Sequence, residues 1–289
     1  MLVHLKEILE KAKKENYAIG AFNTSNLEVT LGIVQAAVAK KAPIIIQVSE
    51  TAIQYAGLKP ITHIVETIAK NEAVKIPIAL HLDHGKSFHS ITECIEAGFS
   101  SIMIDASDLA FDENISLTKK AVDYAHKKGV LAQGELGEVI RGRRGVVNQL
   151  EREIGMTDPK EAEEFVKKTN VDTLAVAIGN VHGIWKLQLG VPKLDIERLK
   201  EICKRVKIPL VLHGASGLKK EEINEAIKFG IRIVNIDTEI RLAFINSLRK
   251  VLEQNGQEYD PRKILVPAIK AVQQLVEEKI EMFGSANKG

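Results

Sequence analysis

The sequence predicts an α/β fold, a (β/α)8 TIM barrel, spanning residues 1–289 as a single domain. Three observations carry that expectation. Short apolar, β-branched runs bounded by Gly, Pro or polar clusters recur eight times, and helical patterns separate them. The runs are apolar almost throughout rather than alternating, as a parallel sheet covered by helices requires. An open doubly wound sheet usually announces itself with a GxGxxG turn after its first strand, and "AIGAFNTSN" has none.

Taken in order, "MLVHLKEILEKAKKEN" carries charges at helical spacing, so 3–14 is expected to form a helix capping the barrel floor. The first four strands are read at 18–23 ("AIGAFN"), 43–49 ("PIIIQVS"), 76–84 ("IPIALHLDH") and 101–107 ("SIMIDAS"). The second four are 130–137 ("VLAQGELG"), 173–180 ("TLAVAIGN"), 208–214 ("IPLVLHG") and 231–238 ("IRIVNIDT"). Helices are expected between them at 25–41, 60–72, 87–98, 113–128, 158–169, 194–206 and 219–229. Ser25, Ser87 and Asp158 with Pro159 behind it are N-cap signals, and Gly98, Gly129 and Gly230 are stop signals. Two further helices, 240–253 and 262–283, close the chain. The longest break in the rhythm is the loop 138–157, and long ordered connections in compact domains are often functional.

The net charge of +2, with Lys and Glu interleaved rather than blocked, implies no nucleic-acid or membrane field. Partners are expected to be small molecules or copies of the chain itself. The N-terminal stretch lacks the continuous apolar core of a signal peptide, and no run approaches the ~18 apolar residues of a membrane span, so a cytoplasmic location is expected. The two cysteines, Cys94 and Cys203, lie inside helical patterns without a CxxC spacing and read as packing residues.

In a barrel the active site lies at the C-terminal ends of the strands. Here those ends carry Asn23, Ser49, Asp83 with His84, Asp105, Glu135, Asn180 with His182, His213, and Asn235 with Asp237. His84, His182 and His213 stand at the tips of strands 3, 6 and 7, which the barrel brings to one mouth. Three imidazoles with an open fourth position suit catalytic zinc. His81 is read as structural, while His4, His63, His89 and His126 fall on helical patterns and are expected to be solvated. Gly85, Gly183 and Gly214 follow the three proposed ligands, and "HGASG" at 213–217 reads as a phosphate cradle after strand 7, with "NIDT" at 235–238 as its second wall.

With these residues in place, the sequence resembles the class II, zinc-dependent fructose-bisphosphate aldolase family over essentially the whole chain. The resemblance rests on "GAFN", "HLDHG", "MIDAS", "ELG", "NVHG", "LVLHGASG", "NIDTEIRLAF", "YDPRK" and "FGSANK". It implies that zinc is held by His84, His182 and His213, that Asp105 and Glu135 match a second divalent position, and that Asp83 is the catalytic proton donor. It implies dihydroxyacetone-phosphate contacts at Gly183, Lys186, Gly214, Ala215, Ser216, Asn235, Ile236, Asp237 and Thr238, with Asn23 and Ser49 nearby and Arg262 toward the far phosphate. A monovalent cation and a homodimer or homotetramer are also implied.

The sequence departs from the family in the loop after strand 5. Relatives carry a glycine-rich, acidic stretch there, whereas "ELGEVIRGRRGVVNQLEREIG" places Arg141, Arg143 and Arg144. Glu138, Glu151 and Glu153 are the candidates for the base that exchanges the C3 proton, and the arginines are candidates for the far phosphate. A Schiff-base aldolase would need a lysine at a strand tip, and no tip ends in one. A hydrolytic zinc barrel would begin with a His-x-His pair that "GAFN" lacks. A metal-stabilised scaffold without turnover is the alternative of another class. Among class II aldolases, tagatose 1,6-bisphosphate and a deoxy-keto-phosphogluconate share the dihydroxyacetone-phosphate half of the substrate, though "NIDTEIRLAF" favours fructose bisphosphate.

Overall fold

The computed structural model describes residues 1–137, 155–183 and 193–289. Eight strands close into a barrel in sequence order: β1 (Ile19–Asn23), β2 (Ile44–Ser49), β3 (Ile78–Gly85), β4 (Ser101–Ile104), β5 (Leu131–Leu136), β6 (Thr173–Val176), β7 (Leu210–Leu212) and β8 (Ile231–Ile236). Every neighbouring pair is parallel, including the closing pair of β8 with β1. Among the described residues the helices are α1 (Leu5–Glu15), α2 (Leu27–Lys40), α3 (Glu50–Ala56), α4 (Leu58–Glu72), α5 (Phe88–Glu96) and α6 (Phe111–Lys127). They continue as α7 (Pro159–Thr169), α8 (Ile196–Arg205), α9 (Lys220–Lys228), α10 (Thr238–Gln254) and α11 (Pro261–Met282). None is long and apolar enough to cross a membrane.

Side chains alternate across a strand, and here the alternation divides the apolar residues into two cores. Phe22, Ile46, Leu80, Ile102, Leu174 and Leu212 point outward and pack with the surrounding helices. Ile19, Ala21, Ile45, Ala79, Ala175, Val211 and Ile233 point inward and fill the floor of the barrel. Helix α1 seals that floor. Its Leu5, Ile8, Leu9 and Ala12 recur at helical spacing and join the inner cluster, each large side chain adding roughly 1.5–3 kcal/mol by burial. His4 starts α1 through a capping box with Glu7, and Asn16 ends it in the left-handed conformation at φ 58°.

The structure differs from the sequence expectation in local ways. The segment after β2, read as irregular, forms α3: the Ser49 hydroxyl accepts from the Ala52 N–H at 3.3 Å, and Gly57 ends the turn. The cap of α2 is Asn26 rather than Ser25, its Oδ1 accepting from the Val29 N–H. Strands 4, 6, 7 and 8 stop short of their expected ends at 107, 180, 214 and 238, and in strand 6 a local hydrogen bond takes the backbone out of the ladder. Asn180 does this directly, its Oδ1 accepting from the Ile178 N–H at 2.8 Å. Thr238, read as strand, is the first residue of α10.

Candidate active site

The mouth is built on a break of strand parity. Residues Ala79, His81 and Asp83 of β3 point inward, so His84 should point out to the helices. The β3–β4 register shifts between Leu82 and Gly85, and His84 adopts φ 49°, a left-handed conformation that His tolerates better than most residues. This bulge brings Asp83 and His84 to the same mouth. Gly85 is required behind it, since a Cβ there would meet the Met103 carbonyl oxygen at 2.7 Å. His182 and His213 arrive on loops that cross closely: a Cβ on Gly214 would meet the Val181 oxygen at 2.7 Å, and Gly214 has φ +59°. The Asn180 amide braces that crossing, donating to the His213 carbonyl at 3.0 Å.

The donor nitrogens of His84, His182 and His213 lie within 4.8 Å of one another. His84 Nε2 and His213 Nδ1 are 3.2 Å apart. His84 Nδ1 lies 2.8 Å from Asp105 Oδ2, which fixes the ring with Nε2 toward the other histidines, as carboxylates behind metal-binding histidines do. Burial disfavours a charged His84 ring, but Asp83, Asp105 and Glu135 overcome it and push its pKa up to about 9. The buried carboxylates therefore demand a cation at this point. Burial and the neighbouring His84 hold His213 well below its usual pKa, leaving a neutral donor. Three nitrogen donors among buried carboxylates fit a divalent metal of zinc's preference.

Asp83 is buried and held on one side only. Its Oδ2 accepts from Asn23 Nδ2 at 2.8 Å, and Asn23 Oδ1 accepts in turn from Gln47 Nε2 at 2.6 Å. Its Oδ1 is 3.9 Å from His84 Nε2 and has no hydrogen-bond partner among the described residues. One oxygen is thus anchored and the other is turned to the metal focus. Behind it, His84, Asp105 and Glu135 form a second group of close donors. Burial, with His84 opposing, pushes Glu135 up to about 7. Asp105 moves the other way: burial would raise it, but His84 and the Lys86 ammonium, 3.0 Å from Oδ2, hold it well below the usual carboxylate range.

A cavity of about 530 Å³ opens over these groups. It is lined by Asn23, Ser49, Asp83, His84, His182, Gly183, His213, Gly214, Ser216, Asn235, Asp237 and Thr238, so most of the expected substrate contacts converge on it. Thr238 begins the long helix α10, whose N-terminus favours an anion beside the Gly214–Ser216 turn. Gln47, Glu50, Thr51, Lys86, Arg241 and Leu242 line it as well and were not anticipated. Gln47 had a signal, a polar residue inside the run "IIIQVS"; Glu50 and Thr51 lie on the unexpected α3.

Other expectations are corrected. Arg262 does not line the cavity; it sits in the first turn of α11, strongly exposed, where Asp260 holds it at 2.8 Å. Ala215 and Ile236 are fully buried and do not line it either, so they support the walls from behind. His4 caps α1 rather than lying within it, while His126 is exposed as expected, with Nε2 2.9 Å from Asp172 Oδ2. His81 has the structural place expected, buried with Nδ1 2.8 Å from Ser101 Oγ, and burial lowers its pKa to about 4. Lys186, Glu138, Glu151, Glu153, Arg141, Arg143 and Arg144 lie outside the described residues.

The chain is similar to known proteins over essentially its whole length. The family described as "Fructose-bisphosphate aldolase class-II" matches residues 3–288. A Staphylococcus aureus protein named fructose-bisphosphate aldolase is 44% identical over 288 residues, covering 99% of each chain. A Helicobacter pylori protein of the same name is 43% identical over 309 aligned positions, covering all of both chains. Among solved structures, the YdjI aldolase from Escherichia coli K12 superposes with a TM-score of 0.85 at 35% identity, covering 100% of this chain and 99% of that one.

Proposed function

The chain belongs to the class II fructose-bisphosphate aldolase family, and from that premise we propose that it reversibly cleaves fructose 1,6-bisphosphate to dihydroxyacetone phosphate and glyceraldehyde 3-phosphate, with zinc at His84, His182 and His213. The enzyme is a metal-dependent lyase. One observation carries the assignment of roles: three imidazole nitrogens share a focus within 4.8 Å, and the unbonded oxygen of Asp83 faces it.

Zinc, when bound, supplies Lewis-acid polarisation of the ketose carbonyl at C2. The chain's own residues do the rest. In the cleavage direction Asp83 Oδ1 takes the proton of the C4 hydroxyl as the C3–C4 bond breaks, the C4 oxygen becomes the aldehyde, and the bonding pair remains with the C3 fragment. In condensation the same oxygen returns the proton. Asn23 and Gln47 keep the carboxylate turned so that this oxygen faces substrate. Gly183, Gly214, Ser216 and the start of α10 are assigned to the phosphate of the dihydroxyacetone-phosphate half. Lys86 and Arg241 give the cavity cationic side chains, which suits a substrate phosphorylated at both ends.

A second divalent ion at Asp105 and Glu135 is a finer part of the proposal, and it requires Lys86 to turn away from Asp105. A homodimer or homotetramer is supported by apolar side chains left exposed on α10 and α11, among them Ile245, Leu252 and Val266. The proposed place of action is the cytoplasm.

The test is release of dihydroxyacetone phosphate in a coupled assay, with fructose and tagatose 1,6-bisphosphates compared side by side. Chelation is expected to abolish activity and zinc to restore it, while His182→Ala and His213→Ala lose metal as well as rate. Turnover surviving complete metal removal rejects the mechanism, and faster turnover of tagatose bisphosphate rejects the substrate.

A further inference from the structure

A neutral imidazole has one N–H and one lone pair, and only the lone pair can bind a metal. His213 presents Nδ1 to the shared focus, 3.2 Å from His84 Nε2. Its proton must then reside on Nε2, at the opposite edge of a ring that is 1% exposed, and a buried N–H without an acceptor is costly. Among the described residues, the groups at that edge are two amides: Gln133, whose Nε2 is 2.9 Å from His213 Nε2, and Asn235, whose Nδ2 lies 3.2 Å from Nε2 and 3.5 Å from Nδ1. Asn235 straddles both ring nitrogens and cannot select one; Gln133 meets Nε2 alone.

We propose, taking the three-histidine metal reading as given, that Gln133 is the positioning residue that fixes His213 as a metal ligand by accepting its Nε2–H. A primary amide carries an acceptor and a donor on one carbon, so a half-turn about its last bond presents either to the ring. With the carbonyl turned to His213, the NH2 group faces the Thr173 hydroxyl, which lies 3.5 Å from the Gln133 amide oxygen and can accept as readily as donate. The backbone supplies the placement: Gln133 stands opposite Thr173 in the β5–β6 register, two residues below Glu135 on the inward face. The sequence contains the signal, a long polar residue inside the otherwise small and apolar run "VLAQG". A neutral acceptor orients the ring without adding another negative charge beside Asp105 and Glu135.

The experiment measures zinc affinity of the full-length protein by competition with a chelator of known strength, for the wild type, Gln133→Met, Gln133→Glu and Asn235→Ala. It also records which nitrogen of His213 bears the proton, by ¹⁵N-histidine NMR of the zinc-loaded wild type. Gln133→Met, similar in size but without the amide, is expected to weaken zinc binding by about 10–100-fold, the usual range for losing a partner behind a metal-binding histidine. Gln133→Glu, which keeps an acceptor, is expected to bind zinc no more weakly than the wild type, and the NMR to show the proton on Nε2. Unchanged affinity in a folded Gln133→Met overturns the inference, as does a Gln133→Glu as weak as Gln133→Met. So does a loss confined to Asn235→Ala, or a proton found on Nδ1. Should Gln133→Met fail to fold, Gln133→Glu and the NMR still decide. A wild-type protein that binds no zinc overturns the metal reading itself, an outcome distinct from equal affinities across the series.

Discussion

Followed upward on its inward face, β2 passes Ile45, Gln47 and Ser49, β3 passes Ala79, His81 and Asp83, and β8 passes Ile233 and Asn235 before Asp237. The floor and the mouth of this barrel are thus the two ends of the same strands, a few residues apart. At the floor the inward side chains are aliphatic and are covered by the apolar stripe of α1. At the mouth they are amides, carboxylates and imidazoles, among them Asn23, Gln47, Asp83, His84 and His213, which hydrogen bonds place. The floor is specified by volume and burial; the mouth is specified by donor and acceptor geometry. Changes at the two ends should therefore be read out by different measurements.

Asp83→Ala is the sharpest test at the mouth. It should leave zinc bound and lower kcat by about 10²–10⁴-fold, the scale of removing a positioned acid–base group. Its counterpart at the floor is Ile45→Ala, fully buried, expected to cost about 2–5 kcal/mol of stability in denaturant unfolding while kcat and KM of the folded fraction stay unchanged. Should Asp83→Ala lose its metal, Asp83 is a ligand or a strut rather than the proton carrier. Should Ile45→Ala alter kcat with folding intact, the two ends are coupled and the division fails.

The division also explains what could be read from the chain. The barrel was legible because burial on both faces leaves its mark as eight apolar runs, and the three histidines were legible because strand tips in a barrel must converge. The direction of His84 was not. Period-two alternation turns it to the wrong face, and only the left-handed bulge between Leu82 and Gly85 brings it round. Helix α3 was hidden because its short run offers one cap and little amphipathic length. Gln47 and Gln133 stood in view as polar residues in apolar strands, but their roles depend on which side chains neighbouring strands bring to them. Arg262 shows the converse: its motif was recognisable, yet its side chain pairs with Asp260, away from the cavity.

Residues 138–154 lie outside the described residues, and there sequence chemistry alone extends the comparison. A base that exchanges the C3 proton must approach from above the metal focus, on the side that the three histidines and Asp83 leave open. Glu151 and Glu153 are the first sequence candidates for that task. Glu151→Ala or Glu153→Ala should slow tritium exchange into dihydroxyacetone phosphate by about 10²-fold. If neither does, the base lies elsewhere and Glu138 is next to be tested.

The smallest effect is expected from the arginines of the same segment. A solvent-screened guanidinium–phosphate pair contributes about 1 kcal/mol once side-chain ordering is subtracted, roughly fivefold in affinity. Arg143→Ala combined with Arg144→Ala should therefore raise KM for fructose 1,6-bisphosphate by about that factor, with kcat little changed, because the contact is remote from C3 and C4. The increase should shrink as salt is added, since salt screens a guanidinium–phosphate attraction, whereas the effect of Asp83→Ala should not. A fall in kcat at unchanged KM would assign the arginines to the chemistry of cleavage and not to the far phosphate.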